Sequence, residues 1–246
     1  MSPKKPTTTP IRIWGCPVSD VAVHNAHPPG FAHQFEDMDQ QHEAGNLGMW
    51  VFLVTEIMFF GGLFACYTIY RALHLEAFET GSRLLEVQFG AANTAVLIGS
   101  SLTMALAIHA AQAGKRKSHI IFYLILTMIL GALFLGLKFT FEWHHDYIEH
   151  LVPGFGFAYT GPYAPGVEMF FCFYFFMTGL HALHMIVGLG VLTVLTIMAA
   201  RGRFSAEYYY PLEVSGLYWH FVDIVWIFLF PLLYLIGGRY AMGGGH

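Results

Sequence analysis

LGMWVFLVTEIMFFGGLFACY, residues 47–67, has a single carboxylate, Glu56, and no other charged side chain. About 20 mostly apolar residues are enough for a helix to cross the hydrocarbon core of a bilayer. A carboxylate at that depth costs about 2.5–3.5 kcal/mol on insertion scales, so it marks a function or a partner. No opposite charge lies within one helical turn of Glu56. Burial disfavours its ionised form. The stretch therefore reads as a membrane span carrying a protonated acid, either a stage in a proton path or a polar joint between helices.

The rest of the chain agrees with a membrane reading. Of its 246 residues 56% are hydrophobic and 11% charged, against about 25% charged in ordinary soluble domains. Five stretches reach spanning length, over 47–71, 90–112, 119–141, 168–199 and 216–237. All should be helices, because lipid offers backbone groups no hydrogen-bond partners. The expected architecture is an all-α integral membrane protein with five transmembrane helices. Residues 1–46 form a polar tail, 47–237 the membrane domain, and 238–246 a glycine-rich flexible end. The fourth stretch exceeds a bilayer and must tilt or protrude. Gly61-Gly62, Gly131 with Gly136, and Gly188 with Gly190 offer close-approach points. The N-terminal residues carry lysines but no apolar run of the signal-peptide kind. Cys16, Cys66 and Cys172 suggest no disulfide framework, and a net charge of −4 suggests no nucleic-acid partner.

Loop charge sets an orientation. Lys115, Arg116 and Lys117 follow the second span, and Arg201 and Arg203 follow the fourth. The loop over 143–167 has no Lys or Arg. The positive-inside rule then places the N-terminus in the cytoplasm and the C-terminus in the periplasm, with Arg71, Arg83 and Arg239 on the outer side.

The spans hold further polar residues: His109, Lys138, Glu142, His181, His184, His220 and Asp223. His181 and His184 are spaced i, i+3 and share a helix face. Such a pair suits a metal or haem, or a hydrogen bond across the bundle. His220 and Asp223 repeat the spacing, which fits a local hydrogen bond, a proton relay or a bundle contact. Lys138 and Glu142, at i, i+4, suit an ion pair, or a lysine that snorkels to the interface. His144, His145, Asp146 and His150 look like metal ligands in composition only and read as a solvated loop.

Four segments carry a resemblance. The opening stretch, NTAVLIGSSLTMALAIHAA (93–111), FYFFMTGLHALHMIVGLGVL (173–192) and GLYWHFVDIVWIFLFPLLYLIGG (216–238) together resemble subunit III of the haem–copper terminal oxidases. AHQFEDMDQQHEAGNLGMW (32–50) is similar to the tails of bacterial members with five helices rather than seven. The resemblance implies a V-shaped, lipid-holding bundle in a bacterial inner membrane. It implies structural phospholipids but no haem, copper or other metal in this chain, and no catalytic residue. It implies subunits I and II as partners, and leaves open small accessory subunits or a respiratory supercomplex. The implied role is support of subunit I, proton uptake and oxygen access in a cytochrome c oxidase; a quinol oxidase or nitric oxide reductase complex is the alternative.

Residue by residue, the resemblance makes Glu56 the family's buried, carbodiimide-reactive carboxylate. Arg201, with Arg203 beside it, falls where a basic residue meets lipid phosphate. His109, His181, His184, His220, Asp223 and Glu142 become polar residues of the bundle interior. Glu142-Trp143 matches the family pattern only with a small shift, and Lys138 has no place in it. A stand-alone proton-coupled transporter using Glu56, Lys138 and Asp223 is a competing reading, disfavoured by the lack of inverted repeats.

Overall fold

Hydropathy dictates where the chain must be helical, and the structure follows it with revised ends. A computed structural model describes residues 38–154, 156–204 and 208–237, with side chains from residue 40. Residues 1–37 of the expected 1–46 tail, with Cys16, and the end over 238–246 with Arg239 lie outside the described residues, while residues 38–46 of that tail are helical. The helices are α1 (Met38–Leu73), α2 (Leu75–Leu84), α3 (Val87–Gln112) and α4 (Lys117–Leu137). A π-helical turn (Lys138–Trp143) leads into the short α5 (His144–Ile148), and then come α6 (Ala164–Ala200) and α7 (Tyr210–Tyr234). Of the described residues, those up to Glu43 fall in one unit and those from Ala44 on in a second. The second unit holds every intramembrane polar residue named from the sequence.

Among the described residues five helices are long and apolar enough to cross a membrane. Two features depart from the sequence expectation. The third span does not stop at 141 but runs on through the π-turn to Ile148. Between the first two spans lies α2, whose Ala77, Phe78, Gly81 and Ser82 are buried. It packs on α6, with Phe78 edge-on to Phe170 at 5.6 Å.

The helix ends explain the loops. At the end of α3, Gly114 at φ 60° ends the helix. The Lys115 amide bonds to the Ala110 carbonyl and the Gly114 amide to Ala111. The end of α6 repeats this with Gly202 at φ 71° and Arg203 bonded to Met198. Both are Schellman caps, whose left-handed residue favours glycine. Each cap releases exposed basic residues, Lys115–Lys117 and Arg201 with Arg203. Five alternating passes put both sets at the same end of the bundle.

Helices α3, α4, α6 and α7 form the close-packed group. Trp219 is its pin. A Cβ added to Gly131 on α4 would lie 2.9 Å from the Trp219 ring, and one on Gly188 of α6 also 2.9 Å from it. The indole Nε1 donates to Ser100 Oγ on α3 at 3.1 Å. The other glycines named from the sequence do not act this way: Gly61, Gly62, Gly136 and Gly190 have nothing within 4 Å of such a Cβ. A glycine tightens a crossing only where it faces one.

Helix α1 is different. Only 11% of its most apolar window is buried, against 33–50% for the other spans. Its backbone hardly approaches the other long helices. It leans on α6 and α7 through large side chains: Phe60 reaches His184 at 5.5 Å and Phe221 at 6.3 Å, and Tyr67 donates to the Leu232 carbonyl at 2.9 Å. An apolar cleft of about 430 Å³ is left between α1 and α7, lined by Trp50, Ile57, Phe64, Leu217, His220 and Phe228 among others.

Candidate functional site

Helical periodicity puts Leu53, Glu56, Phe60 and Tyr67 on one face of α1, and Leu53, Phe60 and Tyr67 are buried. Glu56 thus points from the inner stripe of the least buried span. Its partner is on α6. Glu56 Oε2 lies 3.2 Å from His184 Nε2, with the side chains 20% and 15% exposed.

The other imidazole nitrogen decides what this contact is. His184 Nδ1 lies 2.9 Å from the Leu180 carbonyl, and a carbonyl only accepts, so Nδ1 carries hydrogen. Nε2 of a neutral ring is then a lone pair facing a carboxylate oxygen. The contact holds only if one proton lies in it, as a carboxylic acid donating to neutral imidazole or as a carboxylate paired with imidazolium. Either state is neutral overall, which offsets the cost of a lone carboxylate in lipid. Tyr218 fixes the histidine's backbone by donating to the His184 carbonyl at 2.9 Å.

His181, one turn earlier, is fully buried, with its ring 5.1 Å from Trp226 and 5.5 Å from Phe134. The two histidines share a helix but not their neighbours: aromatic rings surround His181, while His184 meets Glu56. Among the described residues no three of His, Cys, Asp and Glu are grouped to hold a metal ion.

A second polar cluster lies at the opposite end of the bundle from the basic loops. The π-turn buries both Lys138 and Glu142; such turns recur at functional sites. The Lys138 ammonium is paired with Glu142 Oε2 and donates to Tyr234 at 2.5 Å and to Tyr174 at 3.0 Å. Tyr174 and Tyr234 both donate to the same Glu142 oxygen. The ammonium also sits over the rings of Tyr174 at 4.7 Å, Tyr234 at 5.2 Å and Trp226 at 5.3 Å. Lys138 therefore does not snorkel. Glu142 Oε1 and Asp146 Oδ2 have no protein partner, and both residues line a cavity of about 20 Å³, room for one water. Asp146, read from the sequence as solvated, is buried.

His220 and Asp223 do not bond to each other. His220 Nδ1 is 2.7 Å from Ser101 Oγ on α3, while both Asp223 oxygens lack a hydrogen-bond partner. His109, expected in the interior, is exposed; the small Ala107, Ala110 and Ala111 take the inward positions of its turn. Arg201 and Arg203 are exposed at the end of α6.

Comparison with known proteins decides the family. The sequence profile of the family described as cytochrome c oxidase subunit III matches residues 36–238. The chain belongs to the cytochrome c oxidase subunit III family. It is 33% identical to the cytochrome bo(3) ubiquinol oxidase subunit 3 of Pseudomonas aeruginosa, over 88% of this chain and 98% of that one. It is 34% identical to the cytochrome c oxidase subunit 3 of Thermostichus vulcanus, over 81% and 92%. With the quinol oxidase subunit 3 of Bacillus subtilis the identity is 29%, again over 81% and 92%. This subunit III is therefore a multi-pass membrane protein and a member of a multisubunit terminal oxidase complex.

Several residues that build these sites do not stand out in the sequence. Tyr174, Tyr234, Ser101, Trp219 and Trp226 read there as ordinary span residues. Their one signal is a polar atom inside an apolar run, which in a buried setting calls for a partner.

Proposed function

We propose that the chain is the non-catalytic third subunit of a haem–copper oxidase that reduces oxygen to water, in a bacterial cytoplasmic membrane. Haem and copper belong to the partner subunits I and II, and this subunit supports subunit I, its proton uptake, and lipid and oxygen access. The observation that carries the non-catalytic role is what the intramembrane polar groups do: Glu56–His184 and Lys138–Glu142–Tyr174–Tyr234 tie helices to each other. The α1–α7 cleft suits phospholipid acyl chains, and the exposed Arg201 and Arg203 suit lipid phosphates. Both basic loops at one end support a cytoplasmic N-terminus and a periplasmic C-terminus.

Cytochrome c is the proposed electron donor. Quinol is the second reading, favoured by the 33% identity to a ubiquinol oxidase subunit. Purifying the complex from cells with and without this subunit tests the proposal. Without it, the haem spectrum and the initial rate of oxygen consumption should persist, and activity should decay faster during turnover. Loss of a stoichiometric haem signal with the subunit would overturn the non-catalytic role. Reduced cytochrome c and a quinol, supplied separately, distinguish the donors.

A further inference from the structure

The Lys138 cluster uses up its own hydrogens. An ammonium has three to donate and a phenol one. The Lys138 ammonium gives its three to Glu142 Oε2 and to the oxygens of Tyr174 and Tyr234. Both phenols give theirs to the same Glu142 Oε2. Every hydrogen is then committed, and Glu142 Oε1 and Asp146 Oδ2 have no donor. Tyr174 is close enough to turn to Asp146 instead, but its single hydrogen would then leave Glu142.

Charge leaves the same remainder. Glu142 is 6% and Asp146 4% exposed, so two buried carboxylates face one ammonium. The neighbours do not balance them: Tyr174 from α6 and Tyr234 from α7 are phenols, Glu86 before α3 is a further acid, and His145 is paired with Glu149 at 3.3 Å. A buried charge without a counter-charge is costly and is met by a partner or removed by protonation. Both acids line the cavity of about 20 Å³. A cavity of that size closes around one water, which bonds wall oxygens that bulk solvent does not touch. Glu86 and His145 also line it and are exposed, so it communicates with the surface. Among the described residues no three acids or imidazoles are grouped to hold a metal ion, which favours a proton over a metal as the missing charge.

We propose that this cavity is a proton-binding site, in which one water bridges Glu142 Oε1 and Asp146 Oδ2 and one proton is shared between the two carboxyls. One carboxyl, as the acid, donates to the water, and the water donates to the other carboxylate oxygen. Both orphaned oxygens then have a partner. With Lys138 the buried groups carry no net charge. The proton belongs to the pair rather than to either acid, and it exchanges with the aqueous phase past Glu86 and His145. The inference goes beyond the supporting role: it adds a protonatable site at the end of the bundle opposite the basic loops.

Infrared difference spectroscopy of the purified oxidase complex tests this, because the carbonyl stretch of a protonated carboxylic acid stands apart from the carboxylate bands. The unmodified complex minus Asp146→Asn should show the loss of one acid band. That band should shift down when the unmodified complex is moved into D2O. Loss of carboxylate bands alone would mean that Asp146 is ionised and would overturn the shared proton. Replacing sodium and potassium by choline should leave the band unchanged; an acid band that appears only in choline would assign the cavity to a metal cation and overturn the proposal. Asp146→Asn and Asp146→Ala should both keep this subunit in the complex at unmodified recovery, since each leaves Lys138 and Glu142 as a closed ion pair, and either variant serves for the spectrum. Loss of the subunit in both would show that Asp146 is an anion that Lys138 requires, and would overturn the charge balance on which the site rests.

Discussion

Helix α1 and the α3–α4–α6–α7 group keep their intramembrane carboxylates by opposite means. Glu56 sits on a loosely packed helix and meets one partner, His184, at a partly exposed seam. Glu142 sits in a tightly packed end, and one of its oxygens takes an ammonium and two phenols from three helical segments. The first arrangement is a proton-sharing link that is neutral overall. The second is a charged cluster whose members depend on each other. Where packing is close, the fold can hold a full ion pair; where a helix only leans, it holds a contact that is neutral in either protonation state.

The sharpest way to break this contrast is Lys138→Met. It would leave Glu142 buried beside two phenols with no cation, and removing one partner of a buried pair costs about 3–5 kcal/mol. The expected outcome is a clear drop in the thermal midpoint of the purified complex and loss of this subunit. Lys138→Met with Glu142→Gln should recover most of that stability, because no unpaired charge remains. A double variant no better than the single one would show that the cluster is not held by charge.

Next in size is the Trp219 clamp. Gly188→Val forces a side chain into the indole, and overpacking of this kind costs about 1–3 kcal/mol. Gly190→Val, two residues on, meets nothing within 4 Å and should leave the melting curve of the complex unchanged. Equal effects would mean that Trp219 does not clamp the crossing at Gly188.

The same contrast explains what could be read from the sequence. The five spans were legible because transfer from water to lipid depends on composition over some 20 residues. Helix α2 was not: LEAFETGSRL is short and half polar, and tertiary contacts such as Phe78 against Phe170 make it a packed element. The π-turn was invisible because a reading that assumes 3.6 residues per turn cannot register a locally wider one. Spacing alone offered the Lys138–Glu142 pair, but Tyr234 stands 92 residues from Glu142. The i, i+3 spacing of His220 and Asp223 suggested a bond that the fold does not make, because Ser101 on α3 takes the imidazole instead. His109 shows the same limit, since hydropathy says that a residue is in a span and not which way it faces.

The smallest expected effect tests the other half of the comparison. Glu56→Gln replaces an acid by a near-isosteric amide whose N–H can donate to His184 Nε2, leaving the link neutral. Stability should change by less than about 1 kcal/mol, the scale of one exchanged hydrogen bond, and basal oxygen consumption should be retained. Carbodiimide chemistry adds a readout that stability does not. An apolar carbodiimide reacts with a protonated carboxyl that it can reach from lipid. Mass spectrometry of the treated complex should find the adduct on Glu56 and not on Glu142, whose side chain is 5% exposed and paired with an ammonium. Glu56→Gln should abolish the adduct without moving it to Glu142. An adduct on Glu142 would mean that the tight cluster opens to lipid. Loss of all turnover in Glu56→Gln would mean that the shared proton is a working one, and that α1 leans on α6 to carry it.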